Sequence, residues 1–96
     1  MSQMPPTLVP GTQVSTNQGD NMVNEIMRKR KMVAQRLCDA RIKQNKSQGE
    51  VARKAGIDRK TVNRIENNHF SPTLDTLFRL CKVLNIKPIT LFTAIK

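Results

Sequence analysis

The chain has no tryptophan, no tyrosine and only three phenylalanines. Single-strand and RNA-recognition modules stack bases on exposed aromatic rings, so a platform of that kind is excluded. Cysteine is scarce too. Cys38 and Cys81 lie far apart, and neither has a second Cys or a His at ligand spacing. A zinc site takes about four such ligands, and the chain holds one histidine; no metal and no cofactor are expected. Both cysteines are expected to pack as small apolar side chains in a reducing cytosol. Apolar runs are only a few residues long, which excludes a membrane-spanning helix. No basic stretch leads into an apolar core at the N-terminus, as a secretory signal would have it. Paired carboxylates, an activated nucleophile and a phosphate-cradling glycine loop are all missing, so no enzyme is expected.

Acidic residues are the remaining shortage. Seven Asp and Glu face seventeen Lys and Arg, a net charge of +10 on 96 residues. Such an excess favours a polyanionic partner. With aromatics so few, duplex DNA is preferred over RNA.

Composition divides the chain in three. Residues 1–20 read as a disordered tail: Met1–Gly19 holds three of the five prolines and not one charged residue. Residues 21–32 form a basic helical extension or arm, and 33–96 form the domain proper. Apolar residues recur at helical spacing from Met22 to Ile42, with Leu37 and Ile42 expected on the core side. That pattern fits one helix from about Met22 to Gln44, or two helices broken near Arg28–Lys31, with Asp20 or Asn21 as the cap. Asn45 suits a left-handed helix end. Ser47-x-x-Glu50 is a capping box that starts a second helix; Val51, Ala52 and Ala55 face inward and Gly56 ends it. Asp58 is expected to cap a third helix, Arg59–Asn67, with Val62 and Ile65 inward. Thr73 caps a fourth, whose apolar stripe is Leu74, Leu77, Phe78, Leu80, Cys81 and Leu84. Pro88 opens a short fifth helix presenting Ile89, Leu91, Phe92 and Ile95. No strand pattern occurs, and the expected class is all-α, a compact bundle of five helices.

The second and third helices stand about three residues apart, the spacing of a helix-turn-helix. Ala52 must be small where the helices cross, Gly56 takes the left-handed turn position, and Val62 and Ile65 close the wedge. At 100° per residue, Arg59, Lys60, Asn63, Arg64 and Asn67 fall on the opposite side of the third helix. Cations in a first turn oppose the helix dipole at a cost of a few tenths of a kcal/mol. Their placement makes sense if that end enters a major groove, where Arg bonds guanine O6 and N7 together. Arg59, Lys60 and Arg64 are therefore the base-contact candidates, Asn63 comes next, and Thr61 could meet a thymine methyl. Ser47 and Gln48, at the start of the second helix, are candidates to hold a phosphate. Arg28-Lys29-Arg30-Lys31 is either a solvated helix start or a basic arm reaching phosphate or the minor groove.

The run Arg41-Ile42, Ser47-Gln48-x-Glu50-Val51-Ala52, Gly56-Ile57, Val62, Ile65-Glu66-Asn67, Ser71-Pro72-Thr73-Leu74 and Leu80–Ile86 resembles the lambdoid phage repressor and Cro family, also called the Xre family. The likeness covers about Val33–Ala94, with Asn45 for the usual Gly and Lys46 where an apolar residue is common. It implies a lambda-repressor-like domain and reading positions at the α-helical sites just named. It also implies a phosphate contact at Asn67, a structural ion pair between Arg41 and Glu66, and a homodimer joined through Leu91, Phe92 and Ile95. Some of these three must also serve the core, and Met22–Met27 is the alternative source of contacts exchanged between subunits. The implied role is a cytoplasmic transcriptional regulator, phage- or plasmid-encoded, that represses from an inverted-repeat operator on double-stranded DNA. Two other readings stay open: a DNA-binding antitoxin with a toxin partner, and a protein-interaction adaptor that no longer binds DNA.

Overall fold

The computed structural model describes residues 16–93, with side chains from residue 21 onward. Five α-helices follow one another without a strand among the described residues: α1 Thr16–Lys43, α2 Gln48–Ala55, α3 Arg59–Glu66, α4 Leu74–Val83 and α5 Pro88–Phe92. Residues 1–15 of the expected tail lie outside the described residues, as do residues 94–96.

α1 is one unbroken helix, so the alternative of a break near Arg28–Lys31 is discarded. It also starts earlier than expected. Asp20 and Asn21 lie inside it rather than at its cap. Nothing from Asn21 to Lys43 is Gly or Pro, and no residue type there forces a kink.

The four longer helices all end in the same way. Asn45, Gly56, Asn68 and Asn85 stand just past α1, α2, α3 and α4, each with φ between 56° and 72°. The amide of the next residue reaches back five positions: Lys46 to Arg41, Ile57 to Ala52, His69 to Arg64 and Ile86 to Cys81. The left-handed residue itself donates three positions back, to Ile42, Arg53, Ile65 and Lys82 respectively. This double closure satisfies carbonyls that a helix end otherwise leaves unpaired. Asn and Gly are the residues that tolerate it.

Helix starts are less uniform. Ser47 Oγ accepts from Glu50 N at 3.0 Å and Thr73 Oγ1 accepts from Thr76 N at 3.2 Å. Glu50 does not complete the box; its carboxylate pairs with Lys54 at 3.4 Å. Asp58 has the extended backbone of a cap, but its side chain makes no cap bond.

The core gathers Leu37 of α1, Val51, Ala52 and Ala55 of α2, Val62 and Ile65 of α3, Leu77, Leu80, Cys81 and Leu84 around α4, and Leu91 of α5. Three expectations of burial fail. Ile42, Leu74 and Phe78 are exposed, because no other described element packs over those faces. Polar atoms tie the periphery down. Gln44 Nε2 and Lys46 Nζ donate to the carbonyls of Leu84 and Val83 at the end of α4 (2.6 and 3.0 Å). That bond gives Lys46 its reason to stand where an apolar residue is common. Arg36 Nη1 donates to the carbonyls of Thr90, Leu91 and Thr93 and clamps α5 onto α1. Among the described residues no helix is long and apolar enough to cross a membrane.

Candidate nucleic-acid interface

α3 is divided lengthwise. Val62 and Ile65 are 2 % exposed, and they hold the helix against α2 and α1. Arg59, Lys60, Asn63, Arg64 and Asn67 are exposed on the other side, with Thr61 half-buried at its edge. The first turn of α3 contains no acid. Among the described residues Arg59, Lys60 and Arg64 form no ion pair. Arg59 and Lys60 therefore stand unneutralised at the helix end where a cation is least favoured, while Arg64 lies in the last turn, where the dipole accepts one.

α2 meets this face at its start. Ser47 Oγ is occupied as an acceptor by the Glu50 amide, and among the described residues its hydroxyl proton has no acceptor. The first helical amides, those of Gln48 and Gly49, have no partner within the helix. Gly49, not singled out in the sequence, packs here: a Cβ on it would stand 3.7 Å from Arg59 Cδ. The stem of Arg59 thus passes directly over the start of α2.

Behind the face lies a chain of hydrogen bonds. Arg41 Nε and Nη2 donate to the two oxygens of Glu66 at 2.7 and 3.0 Å. Gln48 Nε2 donates to Glu66 Oε1 at 3.0 Å, and Gln48 Oε1 accepts from Asn63 Nδ2 at 3.3 Å. Arg41 Nη1 also donates to the Lys46 carbonyl at 2.9 Å. Burial pushes the Glu66 carboxyl up, but the bonds from Arg41 and Gln48 and the Arg41 charge outweigh it, and the group sits below its usual value. Arg41 and Glu66 are thus scaffold, at 15 % and 7 % side-chain exposure. Gln48 and Asn63 join that scaffold to the exposed face. Asn67 Nδ2 donates to the Asn63 carbonyl at 2.9 Å, closing the end of α3.

The other candidates are placed as follows. Arg28–Lys31 is helical and forms part of α1. Lys29 pairs with Glu25 at 3.3 Å, and Arg30 Nη1 approaches Met27 Sδ at 3.7 Å. Leu91 is 1 % exposed and packs in the core of its own chain. Phe92 is half-exposed, and Ile95 lies outside the described residues. Burial raises the pKa of both thiols, Cys38 and Cys81, which makes them poor nucleophiles. Among the described residues no three His, Cys, Asp or Glu gather as a metal site.

The family described as Helix-turn-helix (HTH_3) matches residues 39–91. No curated protein matches the chain. Among solved structures, the restriction-modification controller protein C.AhdI from Aeromonas hydrophila is 30 % identical, with a TM-score of 0.63. The match covers 66 % of this chain and 96 % of that one. SinR, a master regulator for biofilm formation solved in complex with DNA, is 30 % identical with a TM-score of 0.60. It is covered over 97 % of its length by 62 % of this chain. A hypothetical transcription factor from Neisseria, NHTF, is 25 % identical over 70 % of this chain and 74 % of its own, with a TM-score of 0.63. The chain belongs to the HTH_3 helix-turn-helix family, and it is accordingly a DNA-binding regulator of transcription and not an enzyme.

Proposed function

We propose that the protein is a sequence-specific repressor that binds an inverted-repeat operator as a homodimer. The observation that carries this reading is the exposed, unneutralised trio Arg59, Lys60 and Arg64 on α3. Arg59, Lys60 and Arg64 read base edges in the major groove, with Asn63 and Thr61 beside them. Ser47, Gln48 and Asn67 hold phosphates at the two ends of the helix pair. A single recognition helix reads only a few base pairs. Two copies related by a two-fold axis read two half-sites about one helical turn apart. Occupancy of a promoter excludes polymerase without any contact beyond the DNA itself. SinR was solved in complex with DNA, and C.AhdI is a restriction-modification controller protein; both support a regulatory role.

The test is selection of bound sequences from random duplex DNA. An inverted repeat is expected, and Arg59→Ala should relax the preference at one base pair per half-site, at a cost of about 1–3 kcal/mol. Equal affinity for every duplex, in the wild-type chain and the variant alike, would remove the claim of sequence specificity.

A further inference from the structure

An apolar groove of about 490 Å³ runs between α1, the loop joining α3 to α4, and the start of α4. Its walls include Ile26, Val33, Phe70, Pro72, Leu74 and Phe92. Four of these are large and substantially exposed: Phe70 at 42 %, Ile26 and Phe92 at 50 %, and Leu74 at 66 %. Exposed apolar patches of several hundred Å² are uncommon on soluble monomers and mark contact surfaces.

Next to the groove the same chain carries an apolar helix face that nothing among the described residues covers. On α1, Leu37, Ala34 and Val33 point into the core. At 100° per residue, Arg30, Ile26, Val23 and Met22 continue that stripe toward the N-terminus. Ala34 and Leu37 are buried, whereas Met22 and Val23 are 63 % and 59 % exposed. The core-facing stripe therefore runs on beyond the core. Because α1 is continuous, Met22 and Val23 stay about a turn further out than Ile26 and do not line their own groove. Lys29 and Arg30 line the groove as well, but Lys29 is paired with Glu25 and Arg30 lies back along α1 toward Met27. The wall offered to an occupant is mainly apolar, with Lys29 neutralised and the Arg30 charge, paired with no acid among the described residues, at its α1 edge; an apolar side-chain surface fits it best.

We propose that a second copy of this chain fills the groove. The overhang of α1 from one protomer lays Met22, Val23 and Ile26 against Phe70, Leu74 and Phe92 of the other, and the exchange is reciprocal. One chain holds both halves of the contact yet cannot bring them together, which is the arrangement that two-fold exchange resolves. Half-exposed side chains of this size leave roughly 500–700 Å² per protomer to bury, most of the ~800 Å² per partner of a standard interface. The inference rests on the dimeric reading above and supplies its contact. It also extends the single residue Phe92 to a surface that includes a segment outside the region the family match covers.

Sedimentation velocity on the full chain is the primary test, at several protein and salt concentrations. Wild type should dimerise, and more tightly as salt screens two chains of charge +10. Val23→Glu with Ile26→Glu should be monomeric, with helical signal unchanged because both sites are exposed in the protomer, and with the melting temperature that wild type shows when diluted to monomer. This variant should bind a single half-site within about twofold of wild type and the full inverted repeat roughly a hundredfold more weakly. As a second readout, Val23→Cys and Leu74→Cys chains mixed under mild oxidation should form a covalent heterodimer. A wild-type dimer that survives the double Glu substitution and yields no such cross-link overturns this contact while leaving the dimeric reading in place. A wild-type chain monomeric at every concentration overturns both and leaves the groove to another occupant.

Discussion

Glu66 receives three donors, two from Arg41 and one from Gln48, in a setting that leaves its side chain 7 % exposed. Replacing it with Ala strands the Arg41 guanidinium and frees Gln48. The expected loss is about 2–4 kcal/mol in chemical denaturation, with part of it recovered when Arg41→Met is added. The pH dependence has a definite sign. A carboxyl whose pKa is lowered on folding contributes stability that is fully present above its unfolded value, here 4.5, and lost as pH falls through the folded value. Melting temperature should therefore drop more steeply below pH 4.5 in wild type than in Glu66→Gln. The resemblance pointed to Arg41 and Glu66 as partners. It did not point to Gln48 as the third member, because spacing along two helices says nothing about which rotamer a glutamine adopts. Arg36 was not singled out either: its partners are carbonyls more than fifty residues away.

Helix ends are the most legible elements. Ser47 and Gly56 bound α2 in the sequence as they do in the structure, since each has a local chemical reason to stand where it does. Gly56→Ala should cost about 1 kcal/mol or slightly more. The residue has φ 72°, and its Cβ would come within 3.2 Å of Arg79 Nη1, which itself bonds the Ala55 carbonyl. Asn45→Gly and Asn85→Gly should be close to neutral, and the matching Ala variants should lose about as much as Gly56→Ala. Urea titration separates the two groups. The start of α1 was not legible, because Asp20 and Asn21 are cap formers that the helix overrode. Burial along α1 and α4 was legible only in part. Periodicity marks a face on Leu74, Phe78, Val23 and Ile26, but only the neighbouring elements decide whether that face is covered.

For the molecule as a whole, charge dominates what can be measured. A dimer contacting six to ten phosphates should show log K falling against log salt with a slope of roughly −5 to −9. Lys60→Ala should relax the preference at its base pair, whereas Gln48→Ala should weaken binding about equally across sequences. The sign of the partner's charge and the all-α class were readable from composition and pattern. The groove was not, because it is assembled from α1, the α3–α4 loop, α4 and Phe92, segments brought together only by folding.

The repeated helix closures have a kinetic consequence. Each is made by bonds spanning three to five residues, so each can form before any distant contact does. Small helical domains rich in local contacts fold in microseconds to milliseconds. In stopped-flow refolding the main phase, formation of the protomer fold, should accordingly be complete within a few milliseconds, ahead of any concentration-dependent association. A regulator built in this way recovers its binding shape almost as soon as it is synthesised or released from denaturant. Its occupancy of DNA is then set by concentration and subunit association, with little lag contributed by folding of the protomer.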